Sequence, residues 1–149
     1  MGILFQQNNG WYVYEAVGPV KMTPLQEWIA QGQGSHYTVK RLKDSKVLTL
    51  GGIAKLRAAG KRFLGKPYDA YFEWSDDRIY CSELVWKMYK EGLGIEIGQL
   101  APLQSFDLED PVVKAKLKER FGKHVPLDAQ VVAPSTMFNS PVLFTVSSH

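Results

Sequence analysis

The single cysteine of this 149-residue chain, Cys81, lies where a polar loop turns into an amphipathic helix. Apolar side chains recur after it at helical spacing and define one face: Leu84, Val85 and Met88. The spacing predicts that charged side chains take the solvent side, namely Lys87, Lys90 and Glu91, and that Gly92 ends the helix. The remaining chain must therefore pack against a helix that carries Cys81 in its first turn.

A cysteine in the first helical turn lies among unpaired backbone N–H groups at the positive end of the helix dipole. That environment favours the thiolate, which is the form that a nucleophile requires. Free cysteine is also among the most buried residue types, and Cys81 could simply anchor the helix in the core. This stretch alone leaves both interpretations open.

The first seventeen residues predict a β-hairpin. Residues 2–6 and 11–17 are β-rich and flank an Asn-Gly turn signal. A two-residue turn would place Glu15 opposite Gly2 or Leu4, whereas a three-residue loop would place it opposite Ile3. Downstream, Thr23 is predicted to cap a helix, Thr49 or Leu50 to open a second one, and Asp110-Pro111 a third, with Val112, Val113, Ala115, Leu117 and Phe121 facing inward.

Length and composition describe one ordinary globular domain over residues 1–149. Hydrophobic residues make up 45% of the chain, charged residues 22%, and the formal net charge is +3. No basic stripe interleaved with aromatics is present, so nucleic-acid binding is not expected. No apolar run approaches the length of a transmembrane segment. Spacings typical of metal or nucleotide sites are missing, so no metal and no cofactor are expected.

A thiol nucleophile usually needs an imidazole as general base, and three histidines are available. His149 ends a Ser-Ser-His tail that is expected to be disordered, and His124 follows a helix exit. His36 opens a predicted strand over 36–42 and is the strongest candidate on position alone, although a strand histidine by itself carries little information.

Two short motifs give the chain a family resemblance. Gly65-Lys66-Pro67-Tyr68-Asp69, followed by Tyr80-Cys81-Ser82-Glu83-Leu84-Val85, resembles the cysteine region of NlpC-type cell-wall peptidases. Tyr80 and Glu83 replace an Asp and a Gly of that pattern, and residues 71–77 form an insert. These departures resemble the circularly permuted papain-like amidases of the YiiX type, a bacterial group, and the likeness extends from Met1 to about Asn139.

The resemblance implies an α+β papain-like fold, with a small antiparallel sheet or half-barrel packed on the cysteine helix. It implies that Cys81 is the nucleophile of an amidase or peptidase that cleaves an amide bond through a thioester, in a peptide or small-molecule substrate such as an acylated amino acid. An acyltransferase of the same fold, or a non-catalytic binding module, is the alternative. Tyr68 falls on the family's tyrosine and is expected near the scissile carbonyl, or else in the core.

The same resemblance places the family's histidine one position ahead of Met1, because Met1-Gly2-Ile3-Leu4 matches the residues that follow it. We therefore expect the general base to lie outside these 149 residues, with His36 away from Cys81. With a two-residue hairpin turn, Glu15 shares a sheet face with that position and could orient the imidazole. Its alternative role is that of a solvent-facing strand glutamate.

The loop before Cys81 is acidic within a mildly basic protein. Its carboxylates are Asp69, Glu73, Asp76 and Asp77. They could recognise an amine-bearing substrate, or they could serve loop solubility and the N-terminal charge of the helix.

Overall fold

The computed structural model describes residues 1–149, with the exception of the side chain of Val112. The fold is α+β, as predicted. Its strands are β1 Gly2–Gln7, β2 Gly10–Ala16, β3 Val20–Pro24, β4 Thr38–Leu42, β5 Leu100–Pro102, β6 Gln130–Val132 and β7 Leu143–Ser148. Its α-helices are α1 Leu25–Ala30, α2 Leu50–Lys61, α3 Cys81–Leu93, α4 Pro111–Phe121 and α5 Pro134–Phe138.

The strands form three small antiparallel sheets, of which the first is the meander β1-β2-β3. Asn8 and Asn9 make the two-residue turn between β1 and β2, with φ values of 47° and 64°. Asparagine tolerates this left-handed region better than other non-glycine residues, which explains the turn. The register pairs Gly2 with Glu15, one of the two registers that the sequence allowed for a two-residue turn. The remaining sheets are the pairs β4-β7 and β5-β6.

Helices α2 and α3 pack side by side, and glycines let them approach. A Cβ on Gly60 would lie 2.6 Å from the Met88 side chain, and one on Gly92 would lie 3.0 Å from the Cα of Leu56. The prediction that Gly92 ends the cysteine helix was wrong. Helix α3 continues to Leu93, and Gly94, at φ 70°, supplies the left-handed ending.

Three further predictions need correction. Thr23 belongs to β3 and is buried, so Pro24 and not Thr23 precedes α1. Lys87 is only 6% exposed, although helical spacing predicted it on the solvent side. His149 is not a disordered tail, because its backbone exchanges hydrogen bonds with Tyr37 at 3.0 Å in both directions.

Helix α4 covers a second, smaller core. Leu117 is buried, as predicted, and it packs against Leu103 and Val131. Val113 and Ala115 were also predicted to face inward but are exposed. The predicted inward position of Val112 lies outside the described residues. Phe72, from the loop before α3, contacts both this cluster and the main core. The loop therefore joins α4 to the helix that carries Cys81.

The outer edge of β1 has no strand partner among the described residues. It borders a cavity of about 1470 Å³ that separates β1 from β4, and neither Cys81 nor Tyr68 lines it. No helix in the described part of the chain combines the length and the hydropathy that a membrane crossing needs.

Candidate active site

Helix α3 begins at Cys81, and the residue before it holds the helix start in place. The backbone N–H of Tyr80 donates to Glu83 Oε2 at 3.3 Å, which is half of a capping box. The buried phenol oxygen of Tyr80 accepts a hydrogen bond from the backbone N–H of Val132 at 3.2 Å. Burial raises the pKa of Tyr80, so this hydroxyl is neutral. Its hydrogen bond with Val132 links the start of α3 to β6. Sequence reasoning had treated Tyr80 only as a departure from a motif.

Cys81 is the first residue of α3, as predicted, and its free thiol is half-buried. Tyr68 lies beside it. Burial raises the pKa of the Tyr68 phenol, and the negative charge of a Cys81 thiolate raises it further. Tyr68 forms a parallel bridge with Ile79, whose N–H donates to the Pro67 carbonyl at 3.0 Å. This short ladder fixes Tyr68 next to the segment that enters α3.

Asp69, the next residue, is fully buried beneath the site. Its Oδ1 accepts a hydrogen bond from the backbone N–H of Tyr71 at 2.8 Å. Its Oδ2 is buried and has no hydrogen-bond partner in the described part of the chain. A buried carboxylate oxygen without a partner is costly, so Asp69 is not one of the solubilising loop carboxylates that the sequence suggested.

Arg120, in the last turn of α4, also reaches this site, and sequence reasoning missed it. Its Cζ lies 4.4 Å from the centre of the Phe72 ring. Phe72 in turn packs edge-on against Tyr80, with ring centres 5.1 Å apart. The positive charge of Arg120 lowers the pKa of Tyr68, opposing the effect of burial. Basic residues recur along α4 in a pattern typical of a solvated helix face, but Arg120 is half-buried.

Glu15 is 1% exposed, which excludes the solvent-facing alternative. Its Oε1 accepts a hydrogen bond from Thr23 Oγ1 at 2.6 Å. The register pairs Glu15 with Gly2, so these two residues share one face of the hairpin. The sequence did not indicate the contact of Thr23 with Glu15, because Thr23 was predicted to cap a helix.

None of the three histidines forms a hydrogen bond or a ring contact with Cys81 among the described residues. The exposed His36 lies with its Nδ1 3.1 Å from the carbonyl oxygen of His149. The His149 ring stacks on Tyr37 with ring centres 5.0 Å apart. His124 is exposed after α4.

A group of charged residues flanks the other side of the helix start. Lys87 Nζ lies 2.8 Å from Glu83 Oε1 and 2.8 Å from Asp76 Oδ1, and it donates to the carbonyl of Ser75 at 2.6 Å. Asp76 Oδ2 also pairs with Arg62 at 2.8 Å. Burial raises the pKa of Glu83 to about 7, against the opposing effect of Lys87. We refer to Glu83, Lys87, Asp76, Ser75 and Arg62 as the ion-pair cluster.

These elements define a papain-like α+β domain with a cysteine at the start of its central helix. The sequence model of the permuted papain-like amidase enzymes, the YaeF/YiiX family, matches residues 1–147, and this chain belongs to that family. The uncharacterized protein YiiX of Escherichia coli (strain K12) is 51% identical over 146 residues, which cover 98% of this chain and 71% of the relative.

A solved structure gives the same result for the fold. The crystal structure of the metalloprotein yiiX from Escherichia coli O157:H7 superposes with a TM-score of 0.93 at 50% identity, covering 99% of this chain and 81% of that one. The predicted family and the predicted fold are therefore confirmed.

Proposed function

We propose that this protein hydrolyses an amide bond through a thioester on Cys81, in a peptide or an acylated amino acid. The observation that carries the proposal is the position of the half-buried free thiol at the first residue of α3, beside the Tyr68 hydroxyl. Membership of a papain-like amidase family supports the same class of chemistry.

In the proposed reaction the Cys81 thiolate attacks the carbonyl carbon of the amide, and an S–C bond forms as the carbonyl oxygen becomes an oxyanion. The backbone N–H of Cys81 has no partner within its helix and, with the Tyr68 hydroxyl, donates hydrogen bonds to that oxyanion. The C–N bond then breaks, and the amine leaves with a proton from the general acid. Water cleaves the thioester, releasing the carboxylic acid and restoring the thiol.

The proposed general base is a histidine carried one position ahead of Met1, continuing β1. Alternation places that position on the same sheet face as Gly2, and Gly2 pairs with the buried Glu15. In this scheme Glu15 orients the imidazole, and Thr23 holds the Glu15 carboxylate through its 2.6 Å hydrogen bond.

The related protein from Escherichia coli O157:H7 is called a metalloprotein, which raises the question of a metal in this chain. In the described part of this chain, no three His, Cys, Asp or Glu side chains come together as a set of metal ligands. The residues present therefore do not form a metal site of that kind, and the proposed reaction is derived without a metal step.

The test compares two forms of the chain, one with histidine placed directly ahead of Met1 and one without it, on a panel of peptide and N-acyl amino-acid amides. We expect turnover only in the histidine form, and Cys81→Ala should lower kcat/KM there by several orders of magnitude. Cys81→Ser is the isosteric control for folding. Equal turnover with and without the histidine would assign the base to another residue.

Glu15→Gln in the histidine form tests the orienting role separately. A positioning residue should lower kcat and shift the pH profile of kcat/KM while KM changes little. Thr23→Val should reproduce part of that effect. A lower melting temperature with an unchanged pH profile would make Glu15 a structural carboxylate only.

A further inference from the structure

The charge of Arg120 faces the same tyrosine as the Cys81 thiol. The charge of Arg120 lowers the pKa of the Tyr68 phenol, and the charge of Cys81 raises it. Independently of that, Arg120 stacks at 4.4 Å on Phe72, and Phe72 contacts Tyr80, the residue directly before Cys81. The guanidinium is thus held on the ring that packs against the residue directly before the nucleophile.

Arg120 forms no ion pair with any carboxylate in the described part of the chain. Glu119, its neighbour, pairs with Lys116 at 2.7 Å. Asp76 and Glu83 are taken up by Lys87 and Arg62. A guanidinium stays charged at any working pH, and a partly desolvated one without a counter-ion attracts anions. The planar fork of arginine matches a carboxylate through two parallel hydrogen bonds.

We propose that Arg120 is a substrate-binding residue that receives a carboxylate group of the substrate beside Cys81. The preferred substrates are then anionic amides: acylated amino acids or short peptides whose free carboxylate lies next to the bond that is cleaved. The choice of an amide as substrate rests on the proposed function, whereas the binding of an anion by Arg120 does not. Amine recognition by the acidic loop is the competing interpretation, although Asp76 of that loop is already paired within the ion-pair cluster.

Alkylation of the only thiol in the chain measures the charge at the site without any turnover. Iodoacetate and iodoacetamide react with a thiolate in the same way, forming an S–CH₂ bond and releasing iodide, but only iodoacetate carries a negative charge. The ratio of the two rate constants therefore reports how the site receives an anion. We expect Arg120→Gln to lower this ratio about three- to tenfold, as loss of one nearby unit charge can do in a partly solvated site.

Lys118→Gln is the matched control, because Lys118 is exposed on the same helix and its replacement changes the net charge equally. It should leave the ratio within about twofold of the parent, since solvent and salt screen distant charges. Arg120→Lys should keep part of the preference for iodoacetate. Raising the salt concentration should shrink the difference between the parent and Arg120→Gln.

Three results would overturn the proposal: an unchanged ratio in Arg120→Gln, an equal fall in Lys118→Gln, or a folded protein whose Cys81 reacts with neither reagent. Turnover by the histidine-bearing form adds a second measurement on a peptide with a free C-terminal carboxylate and on its amide. Arg120→Gln should raise KM for the acid more than for the amide, so the ratio of the two kcat/KM values, acid over amide, should fall. If Cys81→Ala retains turnover, the proposed function fails, while the alkylation ratio still decides the role of Arg120.

Discussion

Two charged regions flank the start of α3, and they differ in how their charges are balanced. In the ion-pair cluster, the ammonium group of Lys87 meets two carboxylates at 2.8 Å and a backbone carbonyl at 2.6 Å. On the other side, Arg120 stacks on the ring of Phe72 and forms no ion pair with a carboxylate among the described residues. The charges of the first region neutralise one another, whereas the arginine of the second has no acidic partner in the described part of the chain.

This difference separates charges that hold the fold from charges that are available to a ligand. Lys87 and Glu83 are almost completely buried, and each would be costly without the other. Arg120 is half-buried and its charge is not matched by a carboxylate among the described residues. We therefore expect substitutions in the ion-pair cluster to change stability, and substitution of Arg120 to change the reactivity of Cys81 toward anions.

The largest effect on stability is expected from Lys87→Met. Methionine fills the space of the lysine stem but removes the cation beside the buried Glu83 carboxyl, which costs about 3–5 kcal/mol above about pH 7, where that carboxyl is ionised in the parent. Urea unfolding followed by circular dichroism measures the change. Lys90→Met is the control, because Lys90 forms an exposed pair with Glu96 and should lose no more than about 1 kcal/mol. Equal losses in both variants would contradict the distinction between the two regions.

The pH dependence of stability tests Glu83 directly. The folded protein raises the pKa of Glu83 from 4.5 to about 7, so between these values the folded state binds more protons than the unfolded state. Stability from this group is therefore full below about pH 4.5 and is lost as the pH rises through about 7. Relative to Glu83→Gln, the parent should lose on the order of 1–3 kcal/mol across that window.

Lys87 and Asp69 act on the same carboxyl and set how large that loss is. Lys87 opposes the upward shift in the pKa of Glu83, and Asp69 adds to it. If the parent and Glu83→Gln give parallel stability curves from about pH 4 to about pH 8, the Glu83 carboxylate is not titrating in this range and the ion pair alone controls it.

A smaller effect is expected from Asp76→Asn. The hydrogen bond from Lys87 holds the pKa of Asp76 below its usual value, but the side chain is 55% exposed. Solvent screening limits the loss to about 0.5–1 kcal/mol, because Lys87 keeps Glu83 and the Ser75 carbonyl. A double-mutant cycle with Lys87→Met measures the coupling. A loss as large as that of Lys87→Met would mean that Asp76, and not Glu83, is the main partner of Lys87.

A stability change no larger than that of Asp76→Asn is expected from Arg120→Gln. It removes one cation–π contact with Phe72, about 0.5–1 kcal/mol, and leaves no buried charge behind. Thermal unfolding should therefore be nearly unchanged, although the alkylation ratio of Cys81 changes. A loss of several kcal/mol would instead place Arg120 among the residues that hold the fold.

Much of this site could be predicted from local patterns. The apolar spacing after Cys81 places the thiol in the first turn of a helix, because the period of a helix depends only on neighbouring residues. The Asn-rich turn limits the pairing of Glu15 to a few choices for the same reason. The motif around Tyr68 and Cys81 indicated the family, and the match over residues 1–147 confirmed it.

Contacts between distant segments could not be predicted in this way. The helical spacing of α3 predicted that Lys87 would face solvent. The loop over residues 71–77 instead folds across Lys87 and buries it with Glu83. Arg120 resembled any lysine or arginine of a solvated helix until α4 brought it onto Phe72. The sequence determined the helix start, the hairpin and the position of the thiol, because these depend on neighbours in the chain. Only the tertiary structure decided which charges are paired and which stay open, because pairing depends on which segments meet in space.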